Sequence, residues 1–172
     1  IINYRNIEED SMIRNVKLSD AEAISNIYNY YIENTVITFE TDIFDIKKTE
    51  RRIETILEKG FPYIVYEEDG KVIGYAYAGI WRERKAYEIT LETSIYLDQN
   101  KTKKGIGRKL YKELIEQSRQ IGAHSLIGVV SVPNENSKRL HLNFEFELLG
   151  TFKEVGQKFN KYISVEFWQL ML

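Results

Sequence analysis

Thr102-Lys-Lys-Gly-Ile-Gly-Arg108 (TKKGIGR) follows a strand-like run at 87–97 and opens an amphipathic helical pattern at 106–121. Glycines have no β-carbon, so the backbone can approach a ligand, and the free amides of a helix N-terminus carry the positive end of its dipole. Lys101 and the basic side chains within the segment add charge at the same point. The segment therefore predicts a phosphate or pyrophosphate site, although a tight turn with a solvated basic rim is an equal alternative.

The glycine spacing argues against two familiar nucleotide sites. A P-loop needs Gly-x-x-x-x-Gly-Lys-Ser/Thr, and the dinucleotide fingerprint needs a third glycine where Leu110 stands, after an early first strand. Neither ATP nor NAD is favoured.

The hydrophobic pattern around this segment predicts one mixed α/β domain in the order β-α-α-β-β-β-α-β-α-β-β. No repeat or linker divides the chain. The predicted strands lie at 12–18, 63–66, 72–81, 87–97, 125–132, 147–155 and 162–172, and the helices after the first lie at about 45–59, 106–121 and 136–144.

Three local signals fix the ends of these elements. Ser19-Asp-Ala-Glu22 is expected to start the first helix as a capping box, and Gly60 to end the second. Asp69-Gly70 favours a type I′ turn between two apolar strands. The residues expected to face inward on the second and third helices are Ile46, Ile53, Ile56, Leu57, Ile106, Leu110, Leu114 and Ile121.

Composition limits the partners and the compartment. The 172 residues carry a net charge of −2, which gives no general attraction to nucleic acid or to an anionic membrane. The chain has no cysteine and two histidines, so we expect no disulfide and no metal site. No apolar run is long enough to span a bilayer, and we expect a cytoplasmic protein. Residues 1–11 are interpreted as a leader, tag remnant or flexible arm, and 12–172 as the domain.

The glycine segment also resembles a family pattern. The GNAT acetyltransferases carry Gln/Arg-x-x-Gly-x-Gly/Ala at this strand-to-helix junction, and residues 102–107 match it except at Thr102. The resemblance covers 12–172 and is strongest to the phosphinothricin and methionine sulfoximine acetyltransferases. The matching motifs are Tyr75-Ala-Tyr-Ala-Gly-Ile-Trp81, Tyr87-Glu-Ile-Thr-Leu-Glu-Thr-Ser-Ile-Tyr96, Val132-Pro-Asn-Glu-Asn-Ser137, Arg139-Leu-His141 and Phe167-Trp-Gln-Leu170.

The resemblance implies a fold and a cofactor site. The GNAT fold is α/β (α+β): a single mixed, mostly antiparallel, twisted sheet flanked by helices, with splayed fourth and fifth strands that admit the pantetheine of coenzyme A. Backbone amides at the glycine segment would hold the pyrophosphate of acetyl-CoA, and backbone groups of the fourth strand would pair with pantetheine. The implied cofactor-binding residues are Ile95, Tyr96, Leu97, Lys103, Lys104, Gly105, Ile106, Gly107, Arg108 and Asn134.

Acetylation of an amine needs a proton acceptor and a proton for the departing thiolate. Glu92 matches the glutamate proposed as general base in the phosphinothricin enzymes, and walls of Tyr75, Tyr77 and Tyr96 would raise its pKa. His141 matches the histidine that this subgroup carries near the thiol, as proton donor or relay. From the residues alone, a surface carboxylate is the favoured interpretation of Glu92 and a structural histidine that of His141, and the resemblance reverses the preference for Glu92.

The substrate side follows the same resemblance. Arg82 and Arg84 match basic positions that bind the anionic end of the substrate, although a solvated hairpin loop explains them equally well. Phe39 could form an apolar wall or be an ordinary core aromatic. Tyr77 and Tyr87 complete the expected substrate-binding set.

The sequence therefore predicts transfer of an acetyl group from acetyl-CoA to the amine of a small molecule of the phosphinothricin, methionine sulfoximine or methionine sulfone type. A peptide or protein N-terminal acetyltransferase, a catalytically silent CoA-binding module and a structural domain on the same scaffold are the alternatives. The resemblance also implies a possible homodimer.

Overall fold

Two neighbouring strands that pair over only half their length shape this protein. The computed structural model describes residues 11–101 and 105–172. The strands are β1 (Ser11–Asn15), β2 (Tyr63–Glu68), β3 (Lys71–Ile80), β4 (Thr90–Leu97), β5 (Ser125–Val132), β6 (Glu147–Lys158) and β7 (Lys161–Met171), and the helices are α1 (Ala21–Asn34), α2 (Ile46–Glu58), α3 (Ile106–Gln120) and α4 (Glu135–Asn143). Short 3-10 turns lie at Leu18–Asp20 and Lys85–Tyr87.

Within the described residues the strands form one sheet in the order β1-β2-β3-β4-β5-β7-β6. β4 and β5 are parallel, and the other neighbours are antiparallel. The parallel ladder runs from Thr90 opposite Ser125 to Thr93 opposite Gly128 and stops there. β4 then continues beside β3, while β5 continues beside β7, so the predicted splay of the fourth and fifth strands is confirmed.

The sheet separates two hydrophobic layers. On one face α3 packs Leu110 and Leu114, both fully buried, against the centre of the sheet. On the other face α1 and α2 pack Ile24 and Ile53 against tyrosines of β2 and β3. Each buried aliphatic side chain contributes roughly 1.5–3 kcal/mol, so both layers hold the strands in register.

The hairpin and both glycine turns form as predicted. Asp69 and Gly70 both have positive φ, as a type I′ turn requires, and Gly60 has positive φ after α2. β5 has the predicted bounds, but β4 begins at Thr90 rather than at 87, because the residues before it form the 3-10 turn Lys85–Tyr87.

The capping box predicted at Ser19 is wrong. α1 begins at Ala21, and the Asp20 carboxylate accepts from the Lys17 N–H at 2.8 Å. Arg14 of β1 donates to both Asp20 oxygens at 2.8 and 2.9 Å and also pairs with Glu67 at 2.7 Å. This guanidinium, six residues earlier in the chain, holds Asp20 in the turn that precedes α1.

The inward face of α2 also differs from the prediction. Ile46 and Leu57 are 45 % and 44 % exposed, whereas Ile53 and Ile56 are buried as expected. Ile46 is the first residue of the helix, and Leu57 lies about 100° around the axis from Ile56. On α3 the predicted Ile121 is 48 % exposed, because the helix ends one residue earlier.

Residues 1–10 of the predicted leader lie outside the described residues, and Ser11 is the first residue of β1. The helices between 11 and 172 that the structure describes are too short or too polar to cross a bilayer.

Replacing Asp20 tests the contact that starts α1. Burial raises the pKa of the Asp20 carboxyl, but hydrogen bonds from Arg14 and the Lys17 N–H outweigh it and lower that pKa overall. We expect Asp20→Asn to reduce the free energy of unfolding by about 1.5–3 kcal/mol at neutral pH. Because the folded-state pKa is depressed, this stabilisation is lost as pH falls, and the difference should shrink below about pH 4.

The measurement is urea unfolding at several pH values, with the exposed Asp42→Asn as the matched control. An Asp20→Asn loss that stays constant down to pH 3 would contradict the assignment.

Candidate active site

A cleft of about 530 Å³ opens where β4 and β5 part. Its wall draws on both strands, on α2, α3 and α4, and on the segment 37–40 between the first two helices. Among the residues proposed from the sequence, those that line it are Phe39, Tyr77, Glu92, Ile95, Tyr96, Asn134 and His141. The fold thus brings both proposed catalytic residues to one cavity.

Glu92 lies on β4 directly opposite Gly79 of β3, so no side chain of β3 covers it at that register position. It is partly buried, and burial raises the pKa of its carboxyl. A carboxylate with a raised pKa is a stronger proton acceptor near neutral pH. Glu92 therefore has the environment that a general base needs.

Tyrosines form the floor beside Glu92. The ring centroids of Tyr63 and Tyr77 are 4.9 Å apart, those of Tyr75 and Tyr96 are 5.6 Å apart, and those of Tyr28 and Tyr96 are 4.9 Å apart. Tyr77 and Tyr96 reach the cleft, whereas Tyr75 is buried beneath them. Tyr77 and Tyr96 therefore share the wall of the cleft with Glu92, whose carboxyl pKa burial raises.

His141 is held in one orientation by its neighbours. It is 4 % exposed, and its ring lies over Gly128 of β5, where an added β-carbon would overlap Nε2. The Nδ1 atom lies 2.7 Å from the Ser137 carbonyl oxygen, and Nε2 lies 3.1 Å from the Tyr111 hydroxyl. Tyr111 in turn contacts the Thr93 hydroxyl at 2.7 Å.

These contacts define the tautomer. A carbonyl oxygen only accepts, so the Nδ1–H of His141 donates to Ser137. Burial lowers the pKa of His141, which favours the neutral ring. In the neutral ring Nε2 accepts from Tyr111, whose oxygen can accept from Thr93. A hydrogen-bonded chain of Thr93, Tyr111 and His141 therefore borders the cleft.

Glu92 and His141 reach the cleft from opposite faces of the sheet. Successive residues of a strand point to opposite faces. Glu92 shares the face of Tyr77, whereas its neighbour Thr93 binds Tyr111 of α3 on the other face. The two residues can therefore act on opposite sides of a ligand that lies between the strands.

The glycine segment sits at the start of α3. Gly105 has a φ of +71° as the N-cap residue and, having no side chain, cannot itself cap the amides of the first turn. Ile106 is buried, Gly107 packs near Leu97 at the end of β4, and Arg108 is exposed. The proposed Lys103 and Lys104 lie outside the described residues.

Asn134 is the N-cap residue of α4, where its Oδ1 accepts from the Ser137 N–H at 3.1 Å. This capping bond fixes the side chain at the rim of the cleft.

The proposed Arg82, Arg84 and Tyr87 lie elsewhere. They are exposed and line a second depression beside Phe61 and Leu91. The Arg82 guanidinium lies 5.1 Å from the Trp81 ring centroid. Within the part of the chain that the structure describes, none of these three side chains lines the cleft that contains Glu92.

Sequence reasoning missed Arg52 and Tyr111, which both line the cleft. Tyr111 follows the inward-facing Leu110, and from its position alone it is interpreted as an aromatic residue of the core. Arg52 precedes the buried Ile53, so it lies at the border of the apolar face of α2. A positive charge at that border is the sequence feature that could have indicated it.

The comparisons agree with this geometry. The family model for the acetyltransferase (GNAT) domain matches residues 13–166. The L-methionine sulfoximine/L-methionine sulfone acetyltransferase of Salmonella typhimurium is 33% identical over 160 residues, covering 93% of this chain and 94% of that protein.

Two solved structures superimpose closely. A ribosomal-protein-alanine N-acetyltransferase from Brucella melitensis has a TM-score of 0.92 at 36% identity, covering 94% of this chain and 99% of that one. A phosphinothricin acetyltransferase from Sinorhizobium meliloti, in complex with AcCoA, has a TM-score of 0.91 at 35% identity, covering 94% and 88%. The parted strands, the helix N-terminus beside them and the family match lead to one conclusion: the chain belongs to the GNAT family of acetyltransferases.

Proposed function

We propose that this protein transfers the acetyl group of acetyl-CoA to the amine of a small amino-acid-like substrate, of the phosphinothricin, methionine sulfoximine or methionine sulfone type. The observation that carries the proposal is the cleft between β4 and β5, which holds a carboxylate of raised pKa on one side and a buried histidine on the other. Relatives of similar length are named for acetylation of such substrates.

The residues present fit acetyl-CoA. Beyond Thr93, β5 no longer pairs with β4, so the edge of β4 at Ile95, Tyr96 and Leu97 can bind pantetheine as a further strand would. First-turn amides of α3 at Ile106, Gly107 and Arg108, after Gly105, suit a pyrophosphate. Lys103 and Lys104 remain proposed for the same group, and Asn134 for pantetheine.

When bound, acetyl-CoA supplies a thioester that an unprotonated amine can attack and a thiolate that can leave. Glu92 accepts the proton of the substrate amine, because burial raises its pKa. His141 returns a proton on the opposite side. In the neutral ring Nε2 only accepts from Tyr111, so His141 must first take up that proton from water in the open cleft. The proton that Glu92 accepts passes to water in the same way, so the transfer balances.

Phe39 and Tyr77 form the proposed walls of the substrate pocket. Arg82, Arg84 and Tyr87 remain candidates for the anionic end of the substrate, but that role requires the exposed segment 81–89 to move toward the cleft.

An N-terminal acetyltransferase is the second candidate, because a structure similar to this chain is named for a ribosomal-protein alanine. A panel containing amino-acid analogues and a peptide that begins with alanine separates the two. Acetylation of the peptide alone would move the proposal to that substrate, and CoA binding without turnover of any amine would indicate a silent module.

A second copy of the chain is the proposed partner. β6 is an edge strand, and apolar side chains along it, on the turn that follows and at the start of β7 are more than half exposed: Leu149, Phe152, Val155, Phe159 and Tyr162. Exposed apolar edges of this kind are commonly covered in solution.

Light scattering tests the homodimer. We expect a mass twice that of the chain and a shift toward the monomer in Leu149→Lys, because a charge would be buried at the interface. The exposed Lys47→Glu on α2 is the control. A monomer at every concentration would contradict the homodimer.

Replacing Glu92 tests the base. We expect Glu92→Gln to lower kcat by about 10²–10⁴-fold, because the amide cannot accept the proton. The wild-type rate should rise with pH through a carboxyl pKa above the ordinary glutamate value, and this step should disappear in the variant.

Steady-state kinetics from pH 4 to 9 measure both effects, and acetyl-CoA binding by calorimetry should be unchanged. The exposed Glu58→Gln at the end of α2 is the matched control. Equal activity of Glu92→Gln and the wild type would exclude Glu92 as the base.

Gly128→Ala tests the placement of His141. The added methyl group would overlap Nε2 and displace the ring, so kcat should fall by at least about tenfold, as misplacement of about 1 Å does at other active sites. Gly150→Ala is the control, because a β-carbon there meets no atom within 4 Å. Rates from both variants are compared with His141→Ala; full activity of Gly128→Ala would argue against a role for this orientation.

A further inference from the structure

Arg52 is the one cation that lines the cleft among the described residues. It extends from α2 into the same cavity as Glu92, Tyr77 and Phe39. The lining otherwise carries the carboxylates of Glu40 and Glu92. A ligand with a negative group would therefore meet a single positive partner in this cavity.

Aromatic rings hold the guanidinium in place. Its central carbon lies 4.2 Å from the Phe44 ring centroid and 5.2 Å from that of Tyr28. The side chain is 26 % exposed, so it is partly removed from water but still accessible from the cleft. A stacked, pre-oriented guanidinium loses little conformational freedom when it binds an anion.

Glu40 accepts from only one of the guanidinium nitrogens of Arg52. Nη2 of Arg52 lies 3.1 Å from Oε1 of Glu40, and no second Arg52–Glu40 hydrogen bond forms in the described structure. A guanidinium has five N–H donors and can bind a carboxylate through two parallel hydrogen bonds. Glu40, itself 38 % exposed, therefore partners Arg52 weakly and leaves capacity for a second anion.

Arg52, Tyr77 and Glu92 line the same cavity. The pKa of Tyr77 is raised by burial, lowered by the charge of Arg52 and raised by that of Glu92, in keeping with a cation and an anion in one cavity. A molecule with an amine and an anion a few bonds apart, such as an amino acid, presents the complementary pair of charges.

We propose that Arg52 binds the anionic group of the substrate, a carboxylate or phosphinate, and so presents the amine to Glu92. This inference rests on the proposed function and adds a residue that determines specificity for anionic amines. Without substrate, Glu40 holds the guanidinium in the cleft, and the substrate anion shares or displaces it.

A purely structural ion pair makes a different prediction. If Arg52 and Glu40 only fastened the segment 37–40 to α2, loss of either partner would weaken the wall equally. A ligand role predicts opposite effects, since removal of Glu40 frees the cation for the substrate.

The experiment compares kinetics on L-methionine sulfone and on its carboxamide, which keeps the amine and lacks the negative charge. Arg52→Gln should raise KM for the acid by about 10–100-fold, the range of one charged hydrogen bond, and leave the carboxamide within about twofold. Glu40→Gln should lower KM for the acid, because it frees the guanidinium for the substrate. Arg52→Lys should restore part of the affinity, because it keeps the charge without the planar fork.

The exposed Arg51→Gln on the same helix is the matched control for charge and should behave as the wild type. If Arg52→Gln unfolds, which melting curves show, the opposite signs of Arg52→Lys and Glu40→Gln decide the question.

Unchanged preference for the acid over the carboxamide in the Arg52 variants would overturn the inference while the acetyltransferase function stands. Loss of that preference in Arg82→Gln or Arg84→Gln instead would place the anion site at the second depression. If the wild type acetylated neither compound, the proposed function would fail, and the inference with it.

Discussion

The end of the β4–β5 ladder at Thr93 and Gly128 is the constraint on which the site depends. Each strand keeps its other neighbour, so neither can close the gap by moving alone. Side chains maintain the opening on one face: His141 lies over Gly128, and Thr93 is bound to Tyr111. His141 is also the proposed proton donor, so the residues at the end of this ladder both open the cleft and position a proposed catalytic group.

Because side chains alternate along β4, the proposed base and the residues around the proposed proton donor lie on opposite faces of the sheet. Glu92 faces the tyrosine layer below α1 and α2, and Thr93 faces α3. A base and a proton donor need separate environments, since contact between them would neutralise both. The sheet itself provides this separation, because the carboxylate and the imidazole approach the gap from opposite faces. Burial can therefore raise the pKa of one group and lower that of the other within a single cavity.

Local patterns predicted the elements, whereas side-chain contacts between elements decided what they missed. The Asp69-Gly70 turn and the bounds of β5 depend on neighbouring residues, and both follow from the sequence. Before α1, Asp20 binds Arg14 of β1, a pairing that the capping pattern at Ser19 does not contain. Most of the proposed catalytic and cofactor residues came from family motifs. Arg52 contacts the cleft only because α2 folds over the sheet, which spacing along the chain cannot show.

The segment 37–40, the proposed substrate wall, is held in place by contacts with the scaffold although it lacks regular structure. Thr38 accepts through its carbonyl oxygen from the Lys158 ammonium at 2.9 Å, and its hydroxyl lies 2.8 Å from that of Tyr28. Phe39 packs over Gly156, where an added β-carbon would overlap the ring. These contacts fix the backbone of the segment outside the sheet, so a change of side chain at a position such as Ile37 can alter the wall of the cleft without altering the strands.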